Sequence, residues 1–388
     1  MIVRKAIINN LKDALELTKK TGSSSIVHEY LAQKGINFPV IIEQIDNRAA
    51  NILKQEAISV GADVSVSQDV SRFKKGFSDI VLFANLTQIL KLFDKLKMQP
   101  FGLKEVALNF KQLINNKKVF KCRDKSLDFS CPIVMGIVNM DPDSFSGDGL
   151  TCPDKAQRQA LEFEECGAGI IDIGAESSRP GSNFVDAKTE IKRLIPALKK
   201  IKKKLKIPIS IDTYKYETAK AALDEGADII NDIFALRVGK EKLAKLIANV
   251  KAGLILMHMK GLPKNMQKSP KYKDCTSEVF KFLLDRRNYA LNFGIQEECI
   301  FVDPGAGFGK TVEHNLELIK NIRTFSSLGA VVGAVSRKRF VKALSGEDKT
   351  SFVVANFLTA FCGADILRVH DVKETVNVLK MIQAFKGV

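Results

Sequence analysis

Several short apolar runs in this chain end in residues that can do chemistry. The third from the C-terminus closes on Asp303-Pro-Gly-Ala-Gly-Phe-Gly-Lys-Thr311, another on Asp212-Thr213, another on Asn231-Asp232 and the last on Arg368-Val-His370. Asp212, Asn231 and Asp303 are acceptors or amides suited to a flat heterocycle that displays ring N–H and amino donors, with Ile233, Met257 and Phe308 available as an apolar wall. A second set, Asn139, Ser178, Arg179, Arg368 and His370, is cationic or hydrogen-bonding and suits a phosphorylated or diphosphate group. Lys338 and Lys310 are further cations for such a ligand. A heterocycle site beside an anion site points to a heterocyclic phosphate.

The elements that carry these residues repeat one plan. Cys166-Gly-Ala-Gly-Ile-Ile-Asp-Ile173, Glu225-Gly-Ala-Asp-Ile-Ile-Asn-Asp232 and Cys362-Gly-Ala-Asp-Ile-Leu-Arg-Val369 each place a glycine at a helix end, then a small residue, then an apolar run. Runs apolar on both faces are buried parallel strands. Residues 133–138, 208–211, 253–257, 299–302 and 330–335 are of the same kind, and helical stretches intervene at 188–203, 217–225, 277–293, 311–322 and 351–362. Eight β-then-α units over about 260 residues fit a (β/α)8 TIM barrel, with the functional residues at the C-terminal strand ends. A doubly wound open sheet is the competing α/β topology.

Before residue 118 the pattern differs. Strands are expected at 1–8, 38–42, 62–66 and 79–83, with helices at 11–20, 47–60 and 86–97, which makes a small α/β domain over 1–117 ahead of a barrel over 118–388. Residues 110–130 read as a linker running into a hairpin that closes the bottom of the barrel. The first domain shows no catalytic constellation.

Composition narrows the partners. The 388 residues are 45% hydrophobic and 27% charged, the balance of a globular protein, and no apolar run approaches the ~20 residues of a membrane span. The start lacks the apolar core of a signal peptide, so the expected location is cytoplasmic, with no membrane partner. Seven scattered cysteines without a CxxC pair are expected to be reduced thiols. The net charge of +16 could serve nucleic acid, an anionic surface or a phosphorylated ligand. The run Lys199-Lys-Ile-Lys-Lys-Lys-Leu-Lys206 sits at a helix end where the dipole favours cations, and no aromatic residue interrupts it, so a solvated face is expected and not a nucleic-acid platform. Lys310-Thr311 fails as a phosphate loop, because the first glycine of that pattern would fall on Pro304. His258, between two methionines, is equally suited to a hydrogen-bonded wall and to catalysis.

Taken together, Asn139 with Pro142-Asp-Ser-Phe-Ser146, Glu176-Ser-Ser-Arg-Pro-Gly181, Ile211-Asp-Thr213, Asn231-Asp-Ile233, Met257-His-Met259, Asp303-Pro-Gly305, Gly307-Phe-Gly-Lys-Thr311, Ser336-Arg-Lys338 and Arg368-Val-His370 resemble the strand-end motifs of the dihydropteroate synthase family. They occur in family order over roughly residues 118–388. The resemblance implies condensation of 6-hydroxymethyl-7,8-dihydropterin diphosphate with p-aminobenzoate, giving dihydropteroate and diphosphate in folate synthesis. It implies pterin contacts from Asp212, Asn231, Asp303 and Lys338. Asn139 would meet the diphosphate and its Mg2+, Arg179, Arg368 and His370 the diphosphate, and Ser336 with Lys338 the p-aminobenzoate. Lys338, Arg368, His370 and Asn139 are then the catalytic set. Sulfonamide sensitivity and a homodimer are further implications. Asp141, Ser178 and Ala334 depart from the family pattern, the first by adding a negative charge near the diphosphate. A folate-binding methyltransferase barrel and an inactive pterin-binding protein are the alternatives.

Overall fold

The computed structural model describes residues 1–388 apart from 2, 5, 9, 115–118, 142–151, 178–181, 183 and 387–388. It consists of two compact units, Met1–Asn116 and Lys117–Val388.

In the first unit, α1 (Leu11–Lys19) and α2 (Ser25–Lys34) precede β1 (Val40–Asp46), α3 (Asn47–Ser59), β2 (Asp63–Ser65), α4 (Gln68–Ser71), β3 (Phe77–Phe83), α5 (Leu86–Leu96) and α6 (Leu103–Ile114). The sheet order is β1-β3-β2, with β3 antiparallel to both neighbours. Its core is Ala49, Leu53, Ile80, Leu82, Ile89, Leu92 and Phe110. Helix α5 starts on a capping box in which Asn85 and Gln88 bond each other's backbone. The expected strand over residues 1–8 is absent from the described residues, and Met1, Val3 and Ile7 are exposed. The linker expected from residue 110 is also corrected: Leu103, Ala107 and Phe110 recur at helical spacing and are buried, so that stretch is the end of α6.

The second unit opens with a hairpin, β4 (Val119–Cys122) and β5 (Lys125–Asp128), and continues as β6 (Ile133–Asn139), α7 (Pro153–Glu165), β7 (Ile170–Gly174), α8 (Ala187–Lys202), β8 (Ile209–Asp212), α9 (Tyr216–Asp224) and β9 (Ile229–Asp232). It ends with α10 (Lys240–Val250), β10 (Gly253–Met257), α11 (Cys275–Asn292), β11 (Ile300–Asp303), α12 (Val312–Lys320), β12 (Ala330–Gly333), α13 (Arg339–Ser345), α14 (Lys349–Cys362), β13 (Ile366–Val369) and α15 (Val372–Lys386). Strands β6 to β13 are parallel and form a closed barrel. The closing pair is β13 with β6, in register from Ile366↔Ile133 to Val369↔Gly136, which excludes the open doubly wound sheet.

Strands such as β7 and β10 are buried at every position, as a barrel with helices outside and side chains inside requires. The helix-to-strand junctions read from the sequence pass through Gly167, Gly226 and Gly363, all at positive φ. The hairpin plugs the N-terminal end of the barrel. Phe120 and Phe129 meet Phe301 of β11 at ring separations of 5.5 and 6.3 Å, over Met135, Ile170, Ile229, Ile255 and Ile366. Arg123 Nη1 donates to the carbonyls of Leu223 and Ala227, and Lys125 Nζ reaches Asp228 Oδ2 at 2.9 Å and the Ile207 carbonyl at 3.0 Å, so the plug is tied to the α9–β9 and α8–β8 connections. The lysine run is partly paired on that side, Lys199 with Glu225, Lys200 with Asp154 and Lys202 with Asp228. With this end sealed, side chains at the C-terminal strand ends line the open end.

Candidate active site

Alternation along each strand selects which residues face inward. Ile170, Ile229 and Ile366 belong to the buried layer over the plug, and two residues on, Asp172, Asn231 and Arg368 form the next layer. Register carries the layer round the barrel: Gly174 pairs with Asp212, Asp212 with Asn231, and Met257 with Asp303. The three residues chosen from sequence for the heterocycle therefore stand at or next to the last residue of three strands of one sheet.

Arg368 is the centre of charge. Its Nε donates to Asp172 Oδ2 at 2.7 Å and its Nη2 to Asp212 Oδ2 at 2.8 Å. Asn231 Nδ2 also points at Asp172 Oδ2, at 3.4 Å. Burial pushes the Asp212 carboxyl up to about 7, against the opposing pull of Arg368 and with a further push from Asp172. Burial also raises Asp303, opposed by the Gly305 N–H that donates to Asp303 Oδ1 at 2.7 Å and by Lys338. The guanidinium of Arg368 is held above its ordinary value by its two carboxylates, although burial acts the other way.

The three residues expected to wall the heterocycle come together in the structure. Ile233, Met257 and Phe308 are buried in one cluster with Phe234, Met259 and Met266. The Lys338 ammonium lies over the face of Phe308, 4.0 Å from the ring centroid, so the wall and this cation are adjacent. Ser336 Oγ is 3.2 Å from His370 Nδ1 and accepts from the His370 N–H at 3.3 Å. Arg337, between Ser336 and Lys338, sits at φ +56° with its Nη2 on Asp371 Oδ1 at 3.0 Å.

The loop after β11 shows why its glycines are needed. A Cβ on Gly305 would lie 1.9 Å from the His258 carbonyl oxygen and one on Gly309 2.3 Å from that of Lys260, both at positive φ. This close docking is braced from inside by Lys310. Its buried Nζ bonds the Gly305 and Phe308 carbonyls at 2.9 and 3.0 Å and meets His258 Nδ1 at 2.9 Å. Burial brings the Lys310 ammonium down to about 7, and burial together with Lys310 brings His258 down to about 2. His258 is thus a neutral wall residue, edge-on to Phe282 at 4.9 Å. Lys310, a candidate for the anion on charge alone, has its three donor directions turned into the protein.

Asn139, at the end of β6, is half-buried and in register with Gly174. The added charge of Asp141 is compensated, because Arg193 of α8 reaches its Oδ1 at 3.2 Å and the Ala175 carbonyl at 3.1 Å. Ala334 is buried, and a Cβ on its neighbour Gly333 would lie 2.4 Å from Thr359 Cγ2. Ser178 and Arg179 lie outside the described residues. Their loop leaves β7 through Glu176, which accepts from the Val185 N–H at 3.2 Å, from the Tyr214 hydroxyl at 3.1 Å and from Lys215. Lys215 also meets the buried Glu190 at 2.9 Å.

Two functional features escaped the sequence reading. Asp172 stands inside an otherwise apolar strand, and that single polar intrusion was its signal. The inward direction of Lys310 had no signal in its motif, which looks like a phosphate loop.

The family of pterin binding enzymes matches this chain over residues 135–370. The chain belongs to that family. Among its relatives, a dihydropteroate synthase of Streptococcus pyogenes is 42% identical over 257 residues, covering 64% of this chain and 94% of the relative. A Helicobacter pylori protein named bifunctional dihydropteroate synthase/dihydropteroate reductase is 34% identical over 395 residues, covering 100% of this chain and 99% of the relative. Two solved structures share the pterin binding barrel. The Xanthomonas albilineans dihydropteroate synthase with 4-aminobenzoic acid has a TM-score of 0.64 at 36% identity, over 70% of this chain and 99% of that one. The Yersinia pestis dihydropteroate synthase with a sulfonamide drug complex has a TM-score of 0.67 at 34% identity, over 70% and 100%.

Proposed function

We propose that the barrel is a dihydropteroate synthase, a transferase that joins 6-hydroxymethyl-7,8-dihydropterin diphosphate to p-aminobenzoate and releases diphosphate. What supports this reading is Asp212, Asn231 and Asp303 at strand ends of one barrel, with Arg368 on Asp212, Lys338 over Phe308 of the apolar cluster, and Ser336 bonded to His370. The pterin donors meet the carboxylates and amide, and Arg368 and His370 face the diphosphate together with Asn139 and the loop of Ser178 and Arg179. Lys338 and Ser336 hold the p-aminobenzoate.

The bond from the pterin methylene carbon to the diphosphate oxygen breaks, charge develops on the leaving group, and the aryl amine attacks the carbon. Fixed cations stabilise that charge more in the transition state than in the ground state. The amine loses its proton during or after attack, so no strong base is needed. Mg2+ fits this arrangement, since it favours phosphate oxygens and water over a closed protein cage. Asn139 and the substrate would be its ligands in this proposal, in keeping with the family resemblance of the Asn139 motif. When bound, it neutralises diphosphate charge.

The test is turnover of the full chain. Diphosphate release should require both p-aminobenzoate and Mg2+, and sulfonamides should compete with p-aminobenzoate. Folded protein that binds the pterin but releases no diphosphate would favour the inactive alternative, and methyl transfer would favour the methyltransferase.

A second activity is supported by the full-length match to the Helicobacter pylori protein, whose name includes a reductase. We infer that the chain also reduces dihydropteroate and that the first unit is required. A hydride from a reduced nicotinamide or flavin would add to C6 of the dihydropterin and a proton to N5, leaving the oxidised donor. A chain beginning at Lys117 should keep condensation and lose donor oxidation.

We assign the protein to the cytoplasm as a homodimer. All seven cysteines are free, which suits a reducing compartment. No described helix is long and apolar enough to cross a membrane. Helices α14 and α15 expose Val354, Leu358, Phe361, Met381 and Phe385 on the barrel exterior, an apolar face suited to a second copy. Leu358→Asp should halve the mass measured by light scattering if this face forms the dimer.

A further inference from the structure

Arg368 lies between two carboxylates in different surroundings. The Asp172 side chain is wholly buried and receives two guanidinium nitrogens, Nε at 2.7 Å and Nη2 at 2.6 Å, on one oxygen. The Asp212 side chain keeps 11% of its surface exposed and receives only Nη2, at 2.8 Å. Asp172 Oδ2 also accepts from Asn231, so a single oxygen links a proposed pterin ligand to a proposed diphosphate ligand. Asp172 Oδ1 is buried with no hydrogen-bond partner, and so is the hydroxyl of Ser210, its neighbour in register on β8. A core carboxylate kept with one oxygen unsatisfied is costly to the fold, which argues that it is retained for what it does to Arg368.

We propose that Asp172 is a positioning residue for the condensation, holding Nε of Arg368 while Nη2, which lies on both carboxylates, exchanges Asp212 for the diphosphate. The proposal rests on the barrel being a pterin diphosphate site. In the geometry described, Nη2 occupies a carboxylate that the pterin ring needs. The planar guanidinium can keep its Nε–H on Asp172 while Nη2 turns from the oxygens of Asp172 and Asp212 that it now shares, and a lysine's single nitrogen could not separate these contacts. Pterin and diphosphate therefore both favour the arrangement in which the Nη2–Asp212 bond is broken. Whichever enters first breaks it, and the second enters without that cost. Each ligand strengthens the other by the same factor, in either order. Without the Asp172 charge, Arg368 has Asp212 as its close counter-ion and stays there against both ligands.

Calorimetry on the full chain tests this with uncharged 6-hydroxymethylpterin and with inorganic diphosphate plus Mg2+. In the unsubstituted protein, diphosphate should tighten pterin binding about 10-fold, within the usual range of coupling between sites. In Asp172→Asn the factor should fall to within about twofold of unity. The KM for p-aminobenzoate should stay within about threefold while kcat drops more than tenfold, a split that general loosening of the barrel would not give. If Asp172→Asn does not fold, Arg368→Lys serves instead, because one ammonium cannot hold Asp172 and release Asp212 independently; it too should lose the coupling. Coupling retained in either variant, or absent from the unsubstituted protein while both ligands bind, overturns the proposal. Failure of the unsubstituted protein to bind pterin at all would instead sink the assignment of the site.

Discussion

Replacing Arg368 with glutamine should move the acid limb of the synthase pH profile upward. Asp212 is pushed up to about 7 chiefly by burial, and Arg368 is the group that restrains it. With charge centres about 4 Å apart and an effective dielectric near 20, such a pair is worth about 4 kcal/mol, or about 3 pKa units. Arg368 divides its hydrogen bonds between Asp212 and Asp172, so a shift of about 1–2 units is the working figure. The assay is kcat/KM for the pterin diphosphate between pH 5.5 and 9.5, which reports groups of the free enzyme. The unsubstituted protein should lose activity about tenfold per pH unit below about 7. Arg368→Gln should show its limb at least about one unit higher, on top of a general loss, and Asp212→Asn should show none. An Arg368→Gln limb at the unsubstituted position would refute the reasoning, as would a flat profile for the unsubstituted protein. Stability gives an independent check of sign. With Asp212 raised from 3.8 to about 7, the folded state binds more protons than the unfolded state between those values, so stability falls as pH rises through that window. Asp212→Asn, uncharged throughout, should therefore unfold at a higher temperature than the unsubstituted protein at pH 8 and at about the same temperature near pH 4.

Three other substitutions test the same geometry. Lys310→Met leaves the Gly305 and Phe308 carbonyls and His258 without their partner, at about 1–3 kcal/mol for each unsatisfied group, and should raise KM for the pterin diphosphate as Phe308 loosens. Because Lys310 is brought down from 10.5 to about 7, the unfolded state binds more protons between those values and stability should rise with pH there; chemical denaturation should find that rise missing in Lys310→Met. Phe120→Ala empties part of the barrel plug and should cost about 3–5 kcal/mol in urea denaturation while KM for both substrates holds. Asp141→Asn removes the partner of Arg193, and should lower stability by about 1–3 kcal/mol without changing the Mg2+ concentration for half-maximal rate; an increase in that concentration would make Asp141 a metal ligand.

The barrel was legible because parallel strands buried on both faces leave a simple mark, a short apolar run behind a helix-ending glycine. All eight strands fall on short apolar runs, from Ile133–Asn139 to Ile366–Val369, and β7, β9 and β13 also follow a helix-ending glycine. The first unit was harder to read. Helix α2 carries no clear apolar stripe, with Ile26 and Tyr30 exposed and Ala32 as its buried residue, and α6 was masked by its polar neighbours although Leu103, Ala107 and Phe110 are spaced as a helix. An amphipathic element with few buried positions leaves less pattern to detect.

By itself, the sequence determined which residues stand at the strand ends, since the period of a buried strand and its closing polar residue are local properties. It therefore named Asp212, Asn231, Asp303, Arg368 and His370 as candidates for a heterocyclic phosphate, and the family resemblance added the diphosphate and the roles of Ser336 and Lys338. Direction and partnership were decided by the tertiary structure. Lys310 and Arg368 are both cations at strand ends, yet barrel closure turns Lys310 onto two carbonyls and His258 and sets Arg368 between Asp172 and Asp212. Asp172 and Arg368 are 196 positions apart, and only the closing of β13 onto β6, beside β7, brings them to 2.7 Å. A charge in a sequence has no assigned partner; burial and closure supply one, because a buried charge is stable only where a counter-charge or donor is fixed beside it.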